Sequence, residues 1–322
     1  MSALSTTTDL GIKLTDATRR GFKVGYKDVP MGARAIFDVQ STDKKVEVFN
    51  SAIMDKLAIP TPDGTNYASD TTTLGDELTL TQAKYTLSME ITEDEMQYDQ
   101  YGISAALAKG QGLGTSTANV IELYAQQLIS QGAGIAYTDH ATNSVATLAA
   151  DGLALFHNAH TVNGSADTYD NLMATAFGQV GIEAGLNQFR TFLNQDGIRM
   201  NRRPRTIFST GNATLVGLIN EYLNSQGHPE DALNGINVYK GSFNHVVLEY
   251  LDTAPTRAHD SAKVAYWGLV DAKNENLKLR VSQSPTVHPM QLVQRNRNNL
   301  FQVSTKFAVG VHDPSVILLS AA

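Results

Sequence analysis

Two strand-like segments separated by a long polar run constrain this chain more than any other feature. Val46 and Val48 alternate with Lys45 and Glu47, while Tyr85, Leu87, Met89 and Ile91 alternate with Lys84, Thr86, Ser88 and Glu90. A period of two marks a strand with one buried face. Between them, residues 60–73 read PTPDGTNYASDTTT, which supplies turn geometry and little apolar surface. A connection of that length without its own core is uncommon inside a compact domain. Residues 36–91 therefore predict an extended β-hairpin with a polar tip around Pro62, Asp63 and Gly64. A lone hairpin is marginal in water, so this one needs another surface to lie on.

Thr92, Glu93, Asp94 and Glu95 form a capping box at the start of a helix, the Thr hydroxyl serving the Glu95 amide and the Glu95 carboxylate reaching back. That helix is expected to run to about Gln131, with Ile121, Tyr124, Ala125, Leu128 and Ile129 on one face. Gly110, Gly112 and Gly114 weaken its middle by about 1 kcal/mol each relative to Ala. Unbroken, it would span roughly 60 Å. Further on, Ile182, Leu186, Phe189 and Leu193 predict a second helix, and a strand at Thr206–Ser209 leads into a third carrying Leu215, Leu218, Ile219 and Tyr222. The rest reads mostly as strand: Val246–Tyr250, Lys263–Val270 and Leu277–Val281. It closes with Phe301, Val303, Thr305, Phe307, Val309 and Val311 in strict alternation, then a turn at Asp313–Pro314.

Residues 1–35 show little periodicity and carry six Lys and Arg against three Asp, in a chain whose net charge is −7. They predict an arm, either frayed or docked on an acidic neighbour through cations such as Arg19 and Arg20. Elsewhere Glu90, Glu93, Asp94, Glu95 and Asp99 cluster without a cation, and Arg199, Arg202, Arg203 and Arg205 cluster without an acid. Such runs are commonly solvated faces. Complementary patches also suit contacts between subunits, where they set register.

Chemistry is harder to find. A chain without cysteine has no disulfide, thiolate metal site or Cys nucleophile. The net charge argues against general nucleic-acid binding. No stretch approaches the roughly 18 apolar residues of a membrane span, and no secretory signal opens the chain, so a soluble protein is expected. The Gly110–Thr115 run lacks the last glycine of a dinucleotide fingerprint and does not follow a strand. His157 and His160 are spaced i, i+3 without the glutamate of a zinc-protease helix. Ser209 lies between a strand and a helix but outside a G-x-S-x-G elbow.

The order of these elements resembles the major capsid protein of tailed bacteriophages, the Hong Kong 97-type fold. Residues 94–102, DEMQYDQYG, look like the start of that family's spine helix, and residues 152–160, GLALFHNAH, resemble a stretch of Mu-like head proteins. Residues 201–208 with 215–223 look like the strand-then-helix of the axial domain, and residues 306–319, KFAVGVHDPSVILL, are similar to the closing strand and its turn.

The resemblance implies an α+β protein: an N-terminal arm (1–35), an extended loop (36–91), a peripheral domain with the spine helix (92–199), an axial domain (200–290) and a closing strand returning to the peripheral domain (291–322). It implies a structural protein, not an enzyme, with no cofactor or metal. Copies would assemble into the pentamers and hexamers of an icosahedral head, with scaffolding, portal and cement proteins as further partners. The head would enclose DNA without sequence-specific binding, formed in the host cytoplasm and ending in the virion. Scaffolding would come from a separate protein, since no scaffolding segment precedes the arm. The expected contact residues are Arg19, Arg20, Pro62, Asp63, Gly64, Glu93, Asp94, Arg199, Arg202 and Arg203. Alternatives are an encapsulin-type nanocompartment and, from another class, a metal- or nucleotide-dependent enzyme.

Overall fold

A computed structural model describes residues 7–53, 58, 60–63, 65–67, 73–92, 102–161, 168–193, 198–200, 202–227, 236–292 and 298–321. The chain opens with helices α1 (Thr7–Asp28) and α2 (Gly32–Ile36), followed by strands β1 (Asp38–Ser41), β2 (Val46–Ile53), β3 (Thr73–Thr81) and β4 (Ala83–Ile91). Helix α3 (Gly102–Ser130) comes next, then two short ribbons. These pair β5 (Ala136–Thr138) with β6 (Ser144–Ala146), and β7 (His160–Thr161) with β8 (Thr168–Tyr169). Strand β9 (Leu172–Met173), helix α4 (Gln179–Thr191), strand β10 (Thr206–Thr210) and helix α5 (Ala213–Asn224) follow. The remaining strands are β11 (Asn244–Leu248), β12 (Trp267–Val270), β13 (Leu277–Val287), β14 (Gln291–Leu292), β15 (Asn299–Val311) and β16 (Ile317–Ser320).

The strict alternation near the C-terminus is β15, the centre of one sheet. Strand β13 and then β14 pair with one side of it, β4 pairs with the other, and β1 runs parallel to β13. Phe301, Val303 and Phe307 are buried on the sheet's main face. Ala308 and Gly310 are covered on the opposite face by Leu78 and Leu80 of β3, which is why alternation in burial fades there.

A second sheet has the order β11-β10-β12-β16-β9. Its centre is buried on both faces, as continuous apolar runs such as Ile317–Leu319 require. Ile207, Trp267, Leu269 and Leu318 pack with Ile182, Phe189, Ile219 and Tyr222 of α4 and α5. Phe208, Val270, Ile317 and Leu319 face a core shared with Ile121, Ala125, Leu128 and Ile129 of α3 and with Leu277, Leu279 and Phe307 of the first sheet.

The sheets cut across the expected boundaries. Strand β13, within the expected axial span, belongs to the first sheet, while β9 from before it and β16 from after it belong to the second. The chain therefore ends in the second sheet.

The N-terminal segment is also different from its expectation. It forms the 22-residue helix α1, which runs parallel to α3 with Leu14, Ala17, Thr18 and Phe22 buried. Two pairs of glycines make the crossing close. A Cβ on Gly21 would lie 2.1 Å from the Leu107 carbonyl oxygen, and one on Gly25 would lie 2.0 Å from that of Gln111. Gly114 is as tight, 2.2 Å from the Phe22 carbonyl oxygen. Gly110 and Gly114, expected as weak points, are contact points; Gly112 faces open space. Helix α3 is described from Gly102, so Glu93, Asp94 and Glu95 of the expected capping box lie outside the described residues.

A buried carboxylate ties these parts together. Glu122 on α3 accepts from the Ala33 amide of α2 at 2.7 Å and from Gln126 at 3.0 Å. Gln126 in turn accepts from the Tyr250 amide, just past β11, at 2.6 Å. Burial pushes the Glu122 carboxyl above its ordinary range, although these hydrogen bonds and nearby Arg34 oppose the shift.

Candidate assembly surfaces

Among the described residues the hairpin β2–β3 is a two-stranded sheet that pairs with no further strand. Its base is bolted to the body. Gln82 donates its amide to the Lys45 carbonyl at 2.9 Å, closing the ribbon where β4 begins. His312 donates to the Asp76 carbonyl at 3.1 Å. Lys278 stands over the Phe49 ring at 4.1 Å, and Arg280 pairs with Glu47 at 3.7 Å. Burial beside Asp151 raises the Asp76 carboxyl, and His312 opposes that shift.

Even at the base one face of the ribbon is open, with Val46 and Val48 45% and 53% exposed, and Tyr67 near the tip is 92% exposed. Pro62 and Asp63 are exposed at a turn in which Thr65 returns its amide and hydroxyl to the Pro62 carbonyl. Gly64 lies outside the described residues. An exposed aromatic near the tip and two exposed β-branched side chains on the ribbon's open face are what a partner surface would cover.

Beside the hairpin base runs a groove of about 1300 Å³, lined by Leu78 and Leu80, β4, the middle of α3 and residues 139–150. Tyr85 stacks on Phe307 at 4.5 Å between ring centres and meets Tyr124 at 4.9 Å. Burial, with the nearby Asp139 charge, pushes the Tyr85 hydroxyl up to about 12. Asp139 accepts from Tyr124 at 2.7 Å and from the amides of Ala141 and Asn143. Burial works against its ionisation, but these donors win and hold the carboxyl below its ordinary value.

The expected arginines separate into two groups. Arg19 and Arg20 project from the exposed side of α1, and Arg199 and Arg203 are exposed near the second sheet. Arg202 is committed within the chain to Asp313 at 2.5 Å, each side chain about a quarter exposed. Asp313 also caps the turn after β15 by accepting from the Ser315 amide at 2.9 Å. Glu93 and Asp94 lie outside the described residues.

The candidates for chemistry resolve into structural roles. His160 is fully buried, with Nδ1 2.6 Å from Asp151 and Nε2 3.2 Å from the Leu155 carbonyl, so both nitrogens are occupied by protein. His157 accepts from the Ala159 amide at 3.1 Å. Among the described residues no group of three or more His, Asp or Glu is placed to hold a metal. Ser209 sits 2.9 Å from His245 Nε2 but gives its own proton to the Thr210 carbonyl at 3.0 Å. The imidazole therefore donates to the hydroxyl, opposite to the polarity that activates a nucleophile, and Ser209 is fully buried. Among the described residues no helix is long and apolar enough to cross a membrane.

No protein-family model and no curated protein sequence matches the chain. Solved structures do. The capsid of cyanophage P-SCSP1u matches with a TM-score of 0.54 at 10% identity, over 88% of this chain and 85% of that one. The capsid of a native GTA particle gives 0.52 at 12% identity, over 91% and 90%. The chain has the Hong Kong 97-type capsid fold. The same likeness extends to the virus-like particle from Pyrococcus furiosus, with a TM-score of 0.51 at 11% identity over 95% and 98%.

Proposed function

We propose that this chain is the shell-forming subunit of a tailed-bacteriophage head. The observation that carries the reading is the two-stranded β2–β3 hairpin, anchored at its base and unsupported at its tip, on a capsid fold. Covering the exposed part of the ribbon in trans supplies a second layer there. Repeating the contact around closed symmetry builds a shell of pentamers and hexamers. The groove beside the hairpin base is the receiving surface for a neighbour's extended segment. Arg199 and Arg203 are exposed and form the polar rim of contacts around the second sheet. The role is architectural and not catalytic, which agrees with the buried His160 and Ser209.

Assembly would take place in the host cytoplasm, with the shell enclosing DNA in the virion and with scaffolding, portal and cement proteins as further partners. Negative-stain microscopy of the purified protein tests the reading. Closed shells of uniform size are expected. Monomers only, or tubes and stacked rings, would count against it. Particles built without a DNA genome in their native source would favour a nanocompartment with the same fold.

A further inference from the structure

The outer face of α1 carries a charge pattern that the contacts proposed above do not use. Arg19, Arg20, Lys23 and Lys27 are exposed, and at 3.6 residues per turn they fall within about a 100° sector. That sector lies opposite Thr18, Gly21 and Gly25, which pack on α3. Among the described residues none of the four is held in an ion pair. Among the side chains described, Asp16 is the acid on this face, whereas Asp28 accepts from Gln111 at 3.2 Å. The neighbouring outer surface of α3 presents Ser104, Ala108, Gly112 and Ser116. The charged residues of α3 are Lys109 and Glu122, and Glu122 is buried. A cationic strip thus lies beside a smooth, uncharged one.

We infer that this face binds the phosphate backbone of double-stranded DNA. A protein partner draws its affinity from aromatic or apolar anchors that become fully buried. Among the described side chains of the two helices the exposed large apolar ones are Val24 and Leu107, at 50% and 43%, and neither is such an anchor. Rim charges alone steer an acidic protein more than they hold it. Phosphate needs only the charge, because each neutralised phosphate releases condensed counterions. From Arg19 to Lys27 the helix advances about 12 Å, the axial length of three to four phosphates on one strand. The net charge of −7 does not cancel this strip, since screening confines each charge to about 8–10 Å at physiological salt. The inference deepens the shell reading and rests on it for the source of the DNA; the binding itself does not require assembled shells.

The test is fluorescence anisotropy of a labelled 30-base-pair duplex titrated with the full-length, unassembled subunit at about 50 and 200 mM salt. Four phosphate contacts give a log–log salt slope near −3.6, so affinity should fall roughly 100-fold across that range. Replacing Arg19, Arg20 and Lys23 together with Gln should bring the slope to about −1, while Arg199→Gln should leave binding unchanged. If the triple variant loses its helical circular dichroism, Lys23→Glu alone serves, with the slope reduced by about 1. Absent binding at low salt, or a triple variant that binds with the original slope, overturns the inference. So does a poly-glutamate peptide that binds as tightly as the duplex, which would make the strip a protein-docking surface. DNA binding without shells in micrographs would sink the shell reading and leave this inference standing.

Discussion

Gly110 and Thr18 meet backbone to backbone: a Cβ on Gly110 would stand 2.4 Å from the Thr18 carbonyl oxygen. Gly112, one half-turn away on the same helix, has nothing within 4 Å of its Cβ position. The two glycines therefore answer oppositely to alanine. Gly110→Ala gains helix propensity but must push α1 away, and should cost about 1–3 kcal/mol as an overpacked contact. Gly112→Ala keeps the gain and should stabilise by up to about 1 kcal/mol. Denaturant unfolding of the unassembled subunit measures both; equal shifts would mean that α1 does not cross α3 there.

The face that α1 presents to α3 explains why that helix was illegible in the sequence. Ala17, Thr18, Gly21 and Gly25 are small, so the apolar period that announces a helix was absent although the packing is tight. Where large side chains do the packing, as in α4, α5 and β15, the period was plain. Sheet membership was another matter. Nothing local tells β13 to join the first sheet or β16 the second, because those choices are set by partners far along the chain. Arg202 illustrates the same point: its partner Asp313 is 111 residues away, so the arginine cluster read as one patch when one member is already engaged. The hairpin was legible because polar turn residues separate two alternating runs; that its base is anchored by Lys278, Arg280 and His312 was not.

Removing the Arg202 side chain should cost about 1 kcal/mol, the scale of a partly exposed ion pair, because Asp313 loses its cation beside the closing turn. Arg199→Ala should stay within about 0.5 kcal/mol. Chemical unfolding of the two variants separates them, and equal effects would contradict the Arg202–Asp313 assignment.

Glu122 gives a pH dependence of definite sign. Burial raises its carboxyl in the folded chain, so the folded state holds the proton more tightly than the unfolded one. Stability from this group is present at low pH and is lost as pH rises from about 4.5 through the folded value. Glu122→Gln keeps an acceptor for the Ala33 amide and removes the charge, so its stability relative to wild type should grow across that window. Glu122→Ala leaves the amide unpaired and should cost about 1–3 kcal/mol. Unfolding curves at several pH values decide; a Gln variant that loses ground as pH rises would reverse the assignment.

Asp139 should behave in the opposite sense. Its carboxyl is held down by Tyr124, Asn143 and Ala141 against the opposing effect of burial. Its contribution is present above its unfolded value near 3.8 and disappears as pH falls through the folded one. Tyr124→Phe should weaken this acid sensitivity, which an acid titration followed by near-ultraviolet circular dichroism would detect. An unchanged acid midpoint would remove Tyr124 from the network.

The unsupported hairpin tip is tested most directly by excising residues 62–70 and comparing the variant with the parent by circular dichroism and negative-stain microscopy. The base contacts of Leu78, Leu80 and His312 remain, so a folded subunit is expected, and closed shells should be absent. Shells of normal size and yield from the shortened chain would contradict the idea that one copy's ribbon completes its neighbour.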